Sequence, residues 1–147
     1  MERTADLIVI GSGAAGLSAA LTAAELGLSV LVLEKEGVFG GSSLMSGGSL
    51  CFVGTDIQAN NGISDSKRQL REDLLRVGGG ASNPEVVDAY VENQTEVYEW
   101  MRSMDIPFAP GLKASPGNSV LRTHLSVPAT FLPILFDVST HGTDLRI

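Results

Sequence analysis

The sequence predicts an α/β fold built on a parallel sheet, and three observations predict it. Two short, unbroken apolar runs, "LIVI" from Leu7 and "SVLVL" from Ser29, flank an alanine- and leucine-rich segment. A glycine triplet joins the first run to that segment. An acid, Glu34, closes the second run. Unbroken apolar strands suit a parallel sheet buried on both faces.

In order along the chain, Leu7 to Ile10 reads as a strand bounded by a polar start and a glycine. "AAGLSAALTAAELG" reads as a helix of good formers, stopped at Gly27. Ser29 to Leu33 reads as the next strand, so these thirty-odd residues make one βαβ unit. "SDSKRQLREDLLRVGGG" puts Leu70, Leu74 and Val77 at helical spacing before a glycine stop. "SNPEVVDAYVENQTEVYEWMRSMDI" opens with Asn83 as cap and Pro84 at the first helical position. Val86, Tyr90, Val97 and Met101 are expected to form its buried face, and its aromatics read as core rather than as a ligand-stacking surface. Residues 106–129, rich in Pro, Gly and Ser, read as a long loop. Inside that loop "VLRTHL" alternates, which would place Arg122 and His124 on one side of an extended backbone. The two are either a substrate-gripping basic pair or an incidental solvated one. Residues 130–147 read as helix, turn and strand, with Thr130 as cap, Pro133 in the first turn, and His141 at the helix end before Gly142.

Composition removes several function classes. A net charge of −7 disfavours nucleic acid or anionic membrane as partner, because both attract basic surfaces. A length of 147 residues allows one ordinary domain and is short for a two-domain redox enzyme. The lone Cys51 has no internal disulfide partner and reads as a small buried residue, compatible with a reducing compartment. "MERTADLIVI" carries acids on both sides of its arginine, unlike a secretory leader. Leu17 to Leu33 contains Glu25 and Gly27, so no membrane span is expected and the cytoplasm is the expected location.

Gly11, Gly13 and Gly16 give the spacing G-x-G-x-x-G between strand and helix. Gly11 permits the turn, Gly13 lets backbone approach a diphosphate, and Gly16 lets the helix pack on the sheet. Ser12, Ala14 and Ala15 complete the turn, whose unpaired amides meet an anion at the positive end of the helix. Glu34 stands where a carboxylate accepts from an adenosine ribose, which disfavours a 2′-phosphate. Next comes "EKEGVFGGSSLMSGG", with Gly40-Gly41, Ser42, Ser43, Ser46 and Gly47-Gly48, a backbone suited to run close to something bulky. The alternative is a glycine-rich surface linker.

On these residues, Asp6 to Gly48 resemble the N-terminal part of the FAD-binding domain of the fumarate reductase and succinate dehydrogenase flavoprotein superfamily, which includes the 3-oxosteroid dehydrogenases. Its pattern is G-x-G-x-x-G, seventeen residues, Glu, then a GG-x-small segment ending in a second GG. Gly11, Gly13, Gly16, Glu34, Gly40, Gly41, Ser42, Ser43, Gly47 and Gly48 fill it. The resemblance implies that residues 11–16 hold the FAD diphosphate, that Glu34 holds the ribose, and that Lys35 lies beside the adenine end. It also implies that Ser42, Ser43, Ser46, Gly47 and Gly48 approach the diphosphate and the flavin ring. Membrane-bound succinate dehydrogenases attach FAD through a histidine six places before the second glycine pair. That place is Gly41 here, so non-covalent FAD is expected.

The implied activity is flavin-dependent reduction or desaturation of a C–C bond beside a carboxylate or carbonyl of a small-molecule substrate. The dicarboxylate and 3-oxosteroid branches stay open. By the same resemblance, residues 1–147 are the N-terminal portion of the domain: a flavin-approach loop at 39–63, a helix pair at 64–105, a loop at 106–129, and a helix and strand at 130–147. The later glycine motif and the substrate-capping domain lie outside it, so no catalytic residue and no metal ligand is assigned. A fragment, a truncated product, or one subunit with a complementary chain is expected, and the chain alone is expected to be incomplete and inactive. The other classes left open are a non-catalytic dinucleotide-binding module and an NAD-binding unit.

Overall fold

Strand β1 (Leu7–Ile10) pairs in parallel with β2 (Val30–Leu33), in register from Leu7↔Val30 to Ile10↔Leu33. The structure is a computed structural model that describes residues 4–126 and 144–146. The chain divides into two units, Met1–Gly48 with Val127–Ile147, and Ser49–Ser126. In the first, β2 also pairs in parallel with β6 (Asp144–Arg146), so the order is β1-β2-β6.

Helix α1 (Ala14–Glu25) makes the crossover between β1 and β2. It buries Leu17, Ala20, Leu21 and Ala23, and its alanines let it lie close over Val9, Val30 and Val32. Gly27, at φ +80°, ends it; the amides of Gly27 and Leu28 turn back to the carbonyls of Ala24 and Ala23. The expectation of strands buried on both faces is met on one face only. Val9 is buried, whereas Ile8 is 55% and Ile10 86% exposed. Period-two alternation puts these isoleucines on the face opposite α1, which no described helix of this unit covers.

The second unit is a three-stranded antiparallel sheet with helices. Its strands are β3 (Ser49–Cys51), β4 (Phe108–Lys113) and β5 (Thr123–Ser126), ordered β3-β5-β4. Two strands therefore stand where a long loop is expected at 106–129. Strand β4 carries Pro110 and Gly111, and its register on β5 shifts between Phe108 and Leu112. An irregular edge strand tolerates the residues that composition reads as loop.

Three helices complete this unit. They are α2 (Asp56–Asn60), α3 (Lys67–Val77) and α4 (Pro84–Ser103), capped by the side chains of Thr55, Ser66 and Asn83. The face of α4 differs from expectation. Val91, Gln94, Tyr98 and Met101 are buried, while Val86 is 65% and Val97 43% exposed. Adjacent apolar pairs, Val86-Val87 and Val97-Tyr98, offer two stripes one residue apart. A buried glutamine decides between them. The Val53 amide donates to Gln94 Oε1 at 2.9 Å, and Gln94 Nε2 donates to the Val53 carbonyl at 3.3 Å. Among the described residues no helix is long and apolar enough to cross a membrane. Thr130, Pro133, His141 and Gly142 lie outside the described residues, as does the helix expected there.

Candidate functional site

The site-bearing residues lie where β1 gives way to α1. Gly11, at φ +97°, turns the chain out of β1, and its amide donates to the Leu33 carbonyl at 2.7 Å, keeping the turn beside the end of β2. A Cβ on Gly16 would stand 2.0 Å from the Gly11 carbonyl oxygen and 3.3 Å from Val9 Cγ1. Hydrogen alone fits there. Gly13 is different: a Cβ would meet nothing nearer than the Gly40 carbonyl oxygen and Ser43 Oγ, each at 3.8 Å. Gly13 is the N-cap of α1, makes no side-chain cap, and no acid occupies the helix's first turn. The positive end of the helix is thus left without a carboxylate of its own.

Glu34 follows β2 and is bound on both oxygens. Oε2 accepts from the Ser12 amide at 2.9 Å and the Ser12 hydroxyl at 2.6 Å. Oε1 accepts from the amides of Lys35 at 2.8 Å and Glu36 at 3.1 Å. The Ser12 hydroxyl foremost, then the amides of Ser12 and Glu36, bring its pKa from 4.5 down to about 2, against a small opposing effect of burial and with a lesser contribution from Lys35. A depressed carboxylate contributes stability that is full above pH 4.5 and is lost as pH falls towards 2.

The following segment folds against this turn. Gly40 is left-handed, and a 3₁₀ turn runs over Gly41–Met45. The Gly40 amide donates to the Ser12 carbonyl at 3.0 Å and to Ser12 Oγ at 3.2 Å, while the Ala14 amide donates to Ser43 Oγ at 3.1 Å. The expectation that the turn's amides are all unpaired therefore needs correction. Those of Ser12 and Ala14 are engaged by Glu34 and Ser43. The first-turn amides of Ala15 and Gly16 have no acceptor among the described residues.

Gly11, Ser12, Gly13, Ala14, Gly16, Glu34, Gly40, Gly41 and Ser43 are thus brought together, Gly41 through its approach to Gly13. Others stand apart. Lys35 is 88% exposed and faces Glu36 at 3.4 Å. Ser42 and Gly47 are exposed, and Ser46 turns back to the Ser43 carbonyl at 2.8 Å while accepting from the Gly48 amide. Sequence spacing alone gives no sign that Ser12 is the fully buried hub of this network.

Arg122 and His124 form neither a substrate grip nor a solvated pair. Both are fully buried in the second unit. Arg122 binds Asp65 through Nε and Nη2, each at 2.9 Å, and its Nη1 lies 2.9 Å from Asp73 Oδ2 at an angle poor for hydrogen bonding. His124 sits among the rings of Phe52, Tyr98 and Phe108. Its Nδ1–H donates to the Arg122 carbonyl, and the Thr55 hydroxyl, which caps α2, donates to Nε2 at 2.8 Å. With its pKa lowered from 6.5 the ring is neutral at pH 7, which makes Nε2 the acceptor. Burial foremost lowers the His124 pKa, against the Arg122 carbonyl and Asp56. Unfolded chains then bind the proton more readily, so stability should fall as pH drops below about 6.5. The decline should flatten in His124→Gln, as read by urea unfolding from pH 7 to 5. Among the described residues no acidic, His or Cys cluster could hold a metal.

A βαβ unit with a bare glycine turn and an anchored acid at the neighbouring strand's end defines a dinucleotide-binding domain. The sequence model of the family described as "FAD binding domain" matches residues 6–133, and the chain belongs to that family. It is 35% identical over 119 residues to the urocanate reductase of Eggerthella lenta, covering 80% of this chain and 20% of that protein. It is 38% identical over 148 residues to a 3-oxosteroid 1-dehydrogenase of Mycolicibacterium smegmatis, covering 96% and 25%. Among solved structures, the open conformation of a flavocytochrome c3 fumarate reductase superposes with a TM-score of 0.88 at 28% identity, covering 99% of this chain and 27% of that one. The chain spans a quarter or less of the length of these two curated relatives. FAD is accordingly the cofactor, and the open space at Gly13 and the carboxylate-free first turn fit it.

Proposed function

We propose that this chain is the FAD-holding part of a flavin-dependent oxidoreductase that reduces or desaturates a C–C bond beside a carboxylate or carbonyl. The observation that carries the proposal is the glycine turn of residues 11–16 with Glu34 fixed at its edge. It is supported by similarity to proteins named urocanate reductase and fumarate reductase. A 3-oxosteroid dehydrogenase-like protein is the second reading, favoured by the 38% identity to that enzyme. In either, the flavin supplies hydride transfer when bound, and these residues bind and orient it.

The roles divide by position. Gly11, Ser12, Gly13, Ala14, Ala15 and Gly16 form the diphosphate turn, and Glu34 takes the ribose with Lys35 towards the adenine. Gly40, Gly41, Ser42, Ser43, Ser46, Gly47 and Gly48 form the segment that follows the diphosphate towards the flavin. Gly41 stands where covalent relatives carry their histidine, so FAD is held without a covalent bond. The capping domain and substrate contacts belong to polypeptide beyond the matched portion or to a complementary chain. The lone Cys51 and the acidic charge fit a cytoplasmic protein without nucleic-acid partners.

The test is reconstitution. The chain alone should hold FAD weakly, and should hold it stoichiometrically, with an oxidised-flavin spectrum, once joined to the remaining three quarters of a relative. The joined protein should then turn over a fumarate, urocanate or ketosteroid panel with an artificial electron carrier. Binding of NAD in place of FAD would overturn the reading.

A further inference from the structure

We propose that Ser12 is a positioning residue for Glu34: its buried hydroxyl fixes the ribose-facing carboxylate and ties it to the Gly40 segment. The proposal rests on the FAD-binding reading and adds a residue that acts through the acid rather than on the nucleotide.

Two sets of bonds hold Glu34, and they differ in what they tie it to. The Lys35 and Glu36 amides that reach Oε1 belong to Glu34's own segment and move with it. The bonds at Oε2 come from a residue twenty-two positions away, across the sheet end. Ser12 alone, among the residues bonded to Glu34, ties the carboxylate to the glycine turn.

Hydroxyl polarity is then fixed. An ionised carboxylate only accepts, so the Ser12 O–H must donate to Oε2. Its lone pair is left to accept the Gly40 amide at 3.2 Å. Gly40 N–H, Ser12 O–H and Glu34 Oε2 therefore form one directed chain, in which each bond polarises the next. The Gly40 amide is shared with the Ser12 carbonyl at 3.0 Å, so both ends of Ser12 grip the same segment. Ser12 is 0% exposed, so its side chain meets solvent nowhere and reaches a nucleotide only by way of Glu34.

Two variants test this in the 147-residue chain: Ser12→Ala, which removes the hydroxyl, and Ser12→Cys, which keeps the size with a weak donor. The first readout is the Glu34 carboxyl titration by NMR, which needs no ligand. It should move from about 2 towards 4.5 in both variants. The second is the preference for ADP over 2′-deoxy-ADP, measured by NMR titration. It should shrink by roughly three- to ten-fold in Ser12→Ala, the scale of one weakened charge-assisted bond. A generally loosened fold would instead weaken both ligands alike.

An unchanged Glu34 titration in both variants overturns the role of Ser12, whatever the nucleotide does. A preference that persists undiminished or grows in Ser12→Ala also overturns it, since the hydroxyl would then be idle or compete with the ribose. Should the wild-type chain itself show no preference for ADP, the ribose assignment of Glu34 fails. The titration then still reports on the anchor alone.

Discussion

Gly16→Ala should destabilise the βαβ unit by about 2–4 kcal/mol, whereas Gly13→Ala should leave it folded but weaken its hold on FAD. The two positions share one motif but meet different surroundings. At Gly16 the new methyl would lie 2.0 Å from the Gly11 carbonyl oxygen, which is backbone and cannot rotate away. Relief requires α1 to lift from β1, and that uncovers the contact of Ala20 and Ala23 with Val9, Val30 and Val32. At Gly13 the backbone is at φ −68°, ψ 176°, which alanine adopts without strain, and the methyl meets nothing closer than 3.8 Å. Loss of unfolded-state freedom should even stabilise this variant by about 0.4–1 kcal/mol. The same methyl fills the space beside the helix N-terminus, so FAD affinity in the joined protein should drop by at least about ten-fold. Hydrogen exchange of the Val9 and Val32 amides reads the first effect, and flavin titration the second. Equal losses of stability in the two variants would show that the motif is structural only.

The βαβ unit was legible because its signals are local. A strand run, a glycine turn, good helix formers and a terminal acid fall within thirty residues, and each is set by backbone rules that do not depend on distant packing. The acid's bonding was not legible, since nothing in the spacing says that Ser12 rather than solvent satisfies Glu34. The second unit was harder for a related reason. Strand β4 contains Pro110 and Gly111, and only its pairing with β5 across a register shift makes it a strand. On α4 the buried stripe passes through Gln94, whose polarity argues against burial until the buried N–H and C=O of Val53 are seen to pair with it. Arg122 misled in the same way. A cation in a Pro- and Gly-rich stretch reads as solvated or functional, and its two acids lie 57 and 49 positions away in sequence.

Arg122→Met should cost the second unit about 3–5 kcal/mol at neutral pH. The side chains of Arg122, Asp65 and Asp73 are 0%, 1% and 2% exposed, so removing the cation leaves two buried carboxylates without it. Asp73 keeps other donors: the Ser119 amide and hydroxyl, each at 2.8 Å, and Arg76 at 2.6 Å. Burial pushes the Asp73 pKa up, but the Ser119 amide, Arg76, the Ser119 hydroxyl and the charge of Arg122 together outweigh it and hold the group well below the usual carboxylate range. Asp73 therefore contributes stability that is present above pH 3.8 and is lost as pH falls through its depressed value. Without Arg122 the positive charge that helps hold it down is gone, and protonation relieves the unpaired charge at a higher pH. The stability gap between wild type and Arg122→Met should accordingly narrow as pH falls from 7 to 4. Arg122→Lys should recover only part of the loss, because a single ammonium cannot reproduce the two-nitrogen grip on Asp65. Trp100, the one tryptophan, lies on α4 in this unit and reports its urea unfolding by fluorescence. A gap that stayed constant with pH would mean that the cost arises from lost packing around the guanidinium and not from the stranded acids.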